Sequence, residues 1–236
     1  MSKTPIFAIE PRALLPIAGT EAMFPVRRIY CIGRNYAAHA REMGADPTRE
    51  PPFFFQKAAD TVQICPQGET VSHSYPPMTA NYHFEAEMVV ALQSGGRDIA
   101  ETDALSHVFG YAVGLDMTRR DLQFKMREQG RPWEIGKAFD HSAPVGVLHR
   151  RAETGDVSSA HITLTVNGEV RQQSQLTHLI WSVAETIANL STLFALQPGD
   201  LVFTGTPGAT SQLSAGDRVE VEVGGVGVLS NVVAAG

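Results

Sequence analysis

The second half of the chain consists of short β-like runs separated by turn signals, and this pattern limits the possible folds more than any other feature. Asn167-Gly168 lies between the runs 161–166 and 169–172 and is typical of a two-residue hairpin turn. Pro198-Gly199-Asp200 and Ala215-Gly216-Asp217 precede two further runs, LVFTGT and RVEVEV. Strands and helices do not alternate regularly, as a doubly wound parallel sheet requires. The pattern therefore predicts a β-rich α+β fold.

Only a few helices are predicted, and the first half adds four strand-like runs, of which 26–32 and 53–55 are short. Helices are predicted at 36–43, 119–130 and 179–194. Asn35 and Gly44 bracket the first, and Thr118 with Asp121 has the spacing of a capping box at the start of the second. The runs 82–92 and 108–115 have the apolar character of strands, whereas 66–82 is rich in Pro, Ser and Thr and is predicted as a long loop.

The length of 236 residues allows one large domain, and no internal repeat or low-complexity segment divides it. Residues 1–25 are interrupted by prolines and are interpreted as an N-terminal extension. Residues 26–236 are interpreted as a single domain.

Composition and charge argue against several classes of protein. The chain has 19 Lys and Arg against 25 Asp and Glu, a net charge of -6, and no basic cluster that would suit nucleic acid. No stretch approaches the roughly 18 apolar residues of a membrane span. Cys31 and Cys65 form neither a disulfide framework nor a zinc motif. We expect a cytoplasmic protein without nucleic-acid or membrane partners.

The segment HFEAE, residues 83–87, is the strongest candidate for a functional site. Residues two apart in a strand share a face, so His83, Glu85 and Glu87 are predicted to lie in line. An exposed strand edge would explain two adjacent carboxylates equally simply. However, the run continues as Val89-Val90-Ala91 without alternation, as a strand covered on both sides does. Buried carboxylates need a cation, and oxygen ligands favour Mg²⁺, Mn²⁺ or Ca²⁺.

Asp116 is the candidate for a third acidic ligand, because it ends the apolar run VFGYAVGLD where strand passes to helix. Helix capping is the simpler explanation for an Asp at this position. Arg120 and Gln123 would share a helix face near Asp116, although an ordinary solvated face explains them almost as well. Lys137, in GKAFD, has the surroundings of a half-buried amine that could bind a carboxylate or an enolate.

Two further segments carry candidate residues. His39 and Glu42 lie three apart on the predicted helix 36–43, so the carboxylate could orient the imidazole as a general base. A surface helix with an incidental His and Glu is the commoner arrangement. Thr206 lies in the glycine-containing turn TGTPG, whose hydroxyl and N–H groups could meet an anion.

Six motifs occur in an order that resembles the fumarylacetoacetate hydrolase superfamily: GRNYAAHAREMG, HFEAE, GLDMTRRDLQ, GRPWEIGKAFD, NGEVRQ and PGDLVFTGTP. The resemblance extends from about Val26 to the C-terminus. It implies a mixed β-sandwich roll with a few short helices, usually in a homodimer. Within the superfamily, the short bacterial fumarylpyruvate hydrolases and acylpyruvases are the most similar.

The resemblance also implies roles for individual residues. Divalent-metal ligands fall on Glu85, Glu87 and Asp116, with Mg²⁺ first expected and Mn²⁺ or Ca²⁺ possible. The water-activating pair falls on His39 and Glu42, and substrate-facing positions on Lys137, Arg120, Gln123 and Thr206. Residues 31–35 contain no acid at the position of a further ligand in fumarylacetoacetate hydrolase itself, so water is expected there. Gln56-Lys57-Ala58 departs from the usual Lys-Pro, which leaves a substrate role for Lys57 in doubt.

The implied reaction is hydrolysis of the C–C bond of a 2,4-dioxo acid. Fumarylpyruvate, cleaved to fumarate and pyruvate in gentisate-type aromatic catabolism, is the expected substrate. Arg34 is the candidate partner for its distal carboxylate, and Arg119 and Lys125 are less favoured. Oxaloacetate decarboxylation or isomerisation on the same scaffold is an alternative, because both reactions stabilise an enolate. A non-catalytic small-molecule binding protein is the alternative of another class.

Overall fold

The structure, a computed structural model, describes residues 5–8, 11–37 and 50–235. In this part of the chain the strands are β1 (Leu14–Pro16), β2 (Met23–Pro25), β3 (Arg28–Ile32), β4 (Phe54–Lys57), β5 (Val62–Ile64), β6 (Thr70–Ser74), β7 (Tyr82–His83), β8 (Ala86–Leu92), β9 (Val108–Leu115), β10 (Thr118–Arg119), β11 (Ala143–Val145), β12 (His149–Arg150), β13 (His161–Val166), β14 (Glu169–Gln175), β15 (Asp200–Phe203), β16 (Arg218–Val223) and β17 (Gly227–Ala234). The helices are α1 (Glu101–Ala104), α2 (Arg120–Glu128), α3 (Glu134–Lys137), α4 (Arg151–Thr154) and α5 (Val183–Leu193). Single 3-10 turns occur at Ala59–Thr61, Leu105–His107 and Leu176–His178.

Most strands belong to two sheets that pack against each other. The larger sheet has the order β4-β3-β15-β8-β9-β11-β5, and β12 also pairs with β9. It is mixed, because β15 runs parallel to β3 and β11 parallel to β5. The smaller sheet has the order β14-β13-β16-β17-β6, and its apolar face shares one core with the larger sheet. The predicted β-rich α+β class with a few short helices is confirmed.

Strand β8 lies in the middle of the larger sheet and is buried on both faces. Met88 and Val90 point into the core between the two sheets, whereas Val89 and Ala91 belong to a second core on the opposite face. This explains why the apolar residues of β8 do not alternate with polar ones. The contrast is β16, whose valines are buried and whose charged residues are exposed in strict alternation.

The hairpin predicted at Asn167-Gly168 is confirmed, and it joins β13 to β14. Both turn residues have positive φ, 53° for Asn167 and 82° for Gly168, which is the backbone that favours Asn-Gly. Strand β9 also covers the predicted run 108–115. No helix in the described part of the chain is long and apolar enough to cross a membrane.

The N-terminal strands β1 and β2 pair with each other and place Leu15 and Phe24 in the second core. Ala18 N–H donates to the Leu148 carbonyl at 2.8 Å, which joins this segment to the larger sheet. The division into an extension at 1–25 and a domain at 26–236 stays a prediction.

The interpretation of 66–82 as one long loop was wrong, because it contains β6. This strand pairs in parallel with β17, the last strand of the chain, with Thr70 opposite Ser230. Its partner lies 160 residues further along the chain, and a five-residue strand with one fully buried side chain, His73, has little periodicity of its own. Farther along the chain, the polar segment 149–161 contains β12 and α4.

Two predicted helix starts differ from the structure. Helix α5 begins at Val183 rather than at 179, because the Ser182 hydroxyl accepts from Glu185 N–H at 3.2 Å and the Glu185 carboxylate accepts from Ser182 N–H at 2.9 Å. This is a complete capping box that the sequence interpretation missed. By contrast, Thr118 does not cap α2, since its hydroxyl donates to the Asp116 carbonyl at 3.1 Å.

His73 makes the unfolding free energy sensitive to acid. Burial, with His141 and Lys57 nearby, lowers the pKa of His73 to about 4. The unfolded chain gains this proton near pH ~6.5, so the free energy of unfolding falls as pH drops from about 6.5 to about 4, by up to ~1.4 kcal/mol per pH unit. We expect His73→Gln to reduce the slope of the unfolding free energy against pH by nearly this amount. Denaturant titrations at several pH values between about 6.5 and about 4 measure the slope.

The exposed His178 provides the matched control, and His178→Gln should keep the wild-type slope. Burial lowers the pKa of His83 to about 4 as well, so His83 contributes the same slope to all three proteins. Equal slopes for wild type and His73→Gln would contradict the assignment.

Candidate functional site

Three carboxylates meet where β8 and β9 lie side by side. Glu85 directly precedes β8, Glu87 is its second residue, and Asp116 directly follows β9. The strands are antiparallel with Ala86 opposite Leu115, so the start of one lies beside the end of the other. Each acid offers an oxygen within 4.8 Å of the other two, and none is more than 4% exposed. The structure therefore brings together the three predicted metal-ligating residues.

Two basic side chains from separate helices bind this cluster. Lys137, at the end of α3, donates to Glu85 Oε2 and to Asp116 Oδ2, both at 2.7 Å. Arg120, at the start of α2, donates to Glu85 Oε1 at 2.5 Å and to Gln123 Oε1 at 2.7 Å. Arg120 was predicted near Asp116, but the structure pairs it with Glu85. Burial lowers the pKa of Lys137, but the Asp116 and Glu85 carboxylates outweigh this and raise it, so the side chain stays an ammonium.

Lys57 is a third cation in the cluster, and the sequence interpretation left its role in doubt. Its Nζ lies 2.8 Å from Asp116 Oδ1 as an ion pair and donates to the carbonyl oxygens of Met117, at 3.2 Å, and Lys137. Asp116 Oδ1 accepts no hydrogen bond of good geometry, so the contact is electrostatic. The available signal was its position at the end of β4, two residues after Phe55 and hence on the same face.

Glu87 differs from the other two acids because no ion pair of the described residues includes it. Its Oε2 accepts from Gly205 N–H at 2.6 Å, and the residue is 2% exposed. Burial, followed by the Asp116 and Glu85 carboxylates, raises its pKa well above the usual range. A buried carboxylate without a cation is costly, so this donor set fits a divalent ion held by oxygen ligands.

Thr206 is held near the acids by Gln172, a buried residue of β14. Thr206 Oγ1 accepts from Gln172 Nε2 at 3.0 Å, and Gln172 Oε1 in turn accepts from Ala86 N–H at 3.0 Å. Gln172 is 1% exposed, and the sequence analysis missed it as part of the site. Its only signal was a glutamine in a polar strand next to a hairpin, which does not indicate burial.

A cavity opens onto the acids from one side. Among the described residues that line it are Arg34, Phe53, Phe55, Glu85, Glu87, Asp116, Gln123, Trp133, Lys137, Gly205 and Thr206. Arg120 is not among the described lining residues, and besides Glu85 it donates to Thr210 Oγ1 at 3.2 Å. Its predicted contact with substrate stays a prediction, as do those of Gln123 and Thr206.

His39 and Glu42 lie outside the described residues, and their predicted roles stay predictions. The residues on either side of 38–49 are both bound by Trp181. Asn35, which is fully buried, accepts from Trp181 N–H at 2.8 Å and donates to the Trp181 carbonyl at 2.9 Å. The Trp181 indole N–H donates to the Glu50 carbonyl at 3.2 Å. Trp181 thus holds both flanks of the segment that carries the proposed base.

His83, predicted to lie in line with the acids, is not part of the carboxylate group. The chain leaves the extended strand between β7 and β8, and the His83 ring instead contacts Asn81 Oδ1 at 2.7 Å and Thr210 Oγ1 at 3.3 Å. The apolar run 82–92, predicted as one strand, is therefore two strands with a break at 84–85.

A mixed β-sheet fold in which three buried carboxylates lie at a cavity, paired with two lysines and an arginine, is typical of enzymes that bind a divalent ion and an anionic substrate. The family model for the fumarylacetoacetate hydrolase C-terminal domain matches residues 28–234. The chain belongs to the fumarylacetoacetate hydrolase family, as the sequence motifs predicted.

Relatives with assigned names cover most of this chain. It is 42% identical over 188 residues to the fumarylpyruvate hydrolase of a Ralstonia species, which covers 80% of this chain and 95% of the relative. It is 36% identical over 211 residues to the oxaloacetate tautomerase YcgM of Escherichia coli, covering 89% and 94%. The crystal structure of Pseudomonas aeruginosa fumarylpyruvate hydrolase with Mn²⁺ and pyruvate is 55% identical, with a TM-score of 0.97 over 99% of this chain and 100% of that chain.

We predict that Lys57→Met destabilises the fold by about 3 kcal/mol or more, because it leaves Asp116 buried with one cation fewer. Chemical denaturation measures this directly. Arg171→Met is the matched control, since the ion pair of Arg171 with Glu169 is exposed and contributes at most ~1 kcal/mol. Similar losses in both variants would contradict a structural role for Lys57.

Proposed function

We propose that this protein is a metal-dependent hydrolase that cleaves the C–C bond of a 2,4-dioxo acid, with fumarylpyruvate as substrate. The observation that carries the proposal is the buried cluster of Glu85, Glu87 and Asp116 beside the Lys137 ammonium at the base of a cavity. The Ralstonia and Pseudomonas relatives named as fumarylpyruvate hydrolases support it.

Glu85, Glu87 and Asp116 would hold a divalent ion, for which we propose Mg²⁺, with Mn²⁺ or Ca²⁺ as substitutes. When bound, the ion supplies a Lewis acid that favours the enolate form of the leaving pyruvate. Water would complete the ligand set, since residues 31–35 contain no acid. The Pseudomonas enzyme, crystallised in complex with Mn²⁺ and pyruvate, supports a divalent metal but not a particular one.

The residues of this chain would carry the proton transfers. His39, oriented by Glu42, would accept a proton from a water molecule that attacks the 4-carbonyl carbon. Lys137 and Gln123 line the cavity and would donate to the oxygen that gains negative charge. The C3–C4 bond then breaks, its electron pair stays on C3, and protonation there yields pyruvate while C4 becomes the new carboxylate.

Arg34 remains the proposed partner of the distal carboxylate. It lines the same cavity, and no ion pair among the described residues includes it. The homodimer, the cytoplasmic location and a place in aromatic catabolism also remain proposals, and they rest on the family resemblance alone.

The second candidate is an oxaloacetate tautomerase or decarboxylase, which the 36% identity to the Escherichia coli tautomerase favours. Both reactions would use the same acids and Lys137 to stabilise an enolate. They do not require the attacking water that His39 would activate.

We expect the metal to bind through the acids. For protein dialysed against EDTA, calorimetric titration should show Mn²⁺ binding that Glu87→Gln weakens at least ~10-fold, because the buried carboxylate loses its charge. The exposed Glu220 gives the matched control, Glu220→Gln, which should bind Mn²⁺ normally. Unchanged affinity in Glu87→Gln would remove Glu87 from the ligand set.

The function is tested by steady-state assay of fumarylpyruvate, acetylpyruvate and oxaloacetate side by side with Mg²⁺. We expect fumarylpyruvate to have the highest kcat/KM, and His39→Ala to lower its kcat by about 10²- to 10⁴-fold with Mn²⁺ affinity retained. The exposed His161 supplies the control His161→Ala. Turnover of oxaloacetate alone would select the second candidate, and a near-normal kcat for His39→Ala would exclude His39 as the base.

A further inference from the structure

Three aromatic rings form one side of the cavity that leads to the acids. Phe53 and Phe55 come from the start of the β4 region, and Trp133 precedes α3. The Trp133 ring meets Phe53 edge to face at a centroid distance of 5.5 Å and Phe55 at 5.9 Å. We call Phe53, Phe55 and Trp133 the aromatic wall.

The backbone fixes the position of the aromatic wall relative to the reacting groups. Gly33 has no side chain to displace Phe53: a Cβ at that position would lie 2.0 Å from the Phe53 ring. The Trp133 carbonyl accepts from the N–H groups of Gly136, at 2.8 Å, and Lys137, at 3.0 Å. The wall and the Lys137 ammonium therefore belong to one hydrogen-bonded turn.

Arg34 lies beside the aromatic wall, and no ion pair among the described residues includes it. Its guanidinium carbon is 5.4 Å from the centroid of the Phe53 ring, and its buried Nε has no hydrogen-bond acceptor in the part of the chain that the structure describes. Of the two basic residues among the described lining residues of the cavity, Lys137 is paired with two acids and Arg34 with none. The cavity thus combines flat apolar surface with a guanidinium that forms no ion pair with a described acid.

We infer that the aromatic wall selects substrates whose acyl group is planar and conjugated, and that Arg34 binds the carboxylate at the end of that group. This inference rests on the proposed function and adds the substrate class that the site distinguishes. In an enoyl group the double bond is conjugated with the 4-carbonyl, so the atoms lie in one plane and present a π face to the rings. A saturated chain of the same length has tetrahedral carbons and more rotational freedom to lose on binding.

Three substrates separate the two contacts. Fumarylpyruvate and its saturated counterpart succinylpyruvate share the distal carboxylate, whereas acetylpyruvate has neither the carboxylate nor the double bond. Trp133→Leu should lower kcat/KM for fumarylpyruvate about two- to tenfold more than for succinylpyruvate. Trp133→Phe retains an aromatic ring, so it should keep most of the wild-type preference for fumarylpyruvate over succinylpyruvate. Arg34→Met should lower kcat/KM for both dicarboxylates about tenfold or more and leave acetylpyruvate nearly unchanged.

Phe109 provides the control for losing an aromatic ring elsewhere. It packs on Phe24 at 5.4 Å in the second core, away from the cavity, so Phe109→Leu should keep the wild-type ratio of the two dicarboxylates. If the enzyme hydrolyses acylpyruvates but Trp133→Leu leaves the ratio of kcat/KM for fumarylpyruvate to that for succinylpyruvate unchanged, the inference is overturned. The proposed function would still stand. Wild-type protein that hydrolyses none of the three substrates would overturn both.

Discussion

The burial of three carboxylates at one end of β8 and β9 is the constraint on which the rest of this site depends. Glu85, Glu87 and Asp116 are nearly inaccessible to water, so cations must come from elsewhere in the chain. Lys57 lies at the end of β4, Lys137 at the end of α3 and Arg120 at the start of α2. The segments that carry the counter-charges are thereby tied to the centre of the larger sheet, and an error in their packing would leave buried charge uncompensated.

This charge balance also explains which parts of the site could be predicted from the sequence. Glu85 and Glu87 lie two residues apart at the start of β8, and Asp116 directly follows an apolar strand, so local pattern and family motifs identified them. Lys57 and Gln172 could not be found in this way. Their importance comes from contacts with Asp116 and Ala86, 59 and 86 residues away in the chain, and neither local segment indicates burial.

The same distinction between local and distant interactions separates the correct and incorrect parts of the predicted fold. The Asn167-Gly168 hairpin and β9 depend on nearby residues, and both were predicted. Strand β6 depends on pairing with β17, 160 residues further along the chain, and it was missed. Thr118 has the pattern of a helix cap, but its hydroxyl bonds to the Asp116 carbonyl, because the turn after β9 places that oxygen within reach.

The acids and Lys137 alone do not determine which reaction a member of this family catalyses. Relatives named for hydrolysis and for tautomerisation are 42% and 36% identical to this chain, and both chemistries require a stabilised enolate. What hydrolysis adds is an activated water and a place for the acyl group that departs. In this chain the flanks of the proposed base are bound by Trp181, and Phe53, Phe55, Trp133 and Arg34 line the part of the cavity in which we propose that the acyl group binds. Reaction and substrate specificity therefore depend on residues around the acids, while the acids themselves supply the chemistry that the family shares.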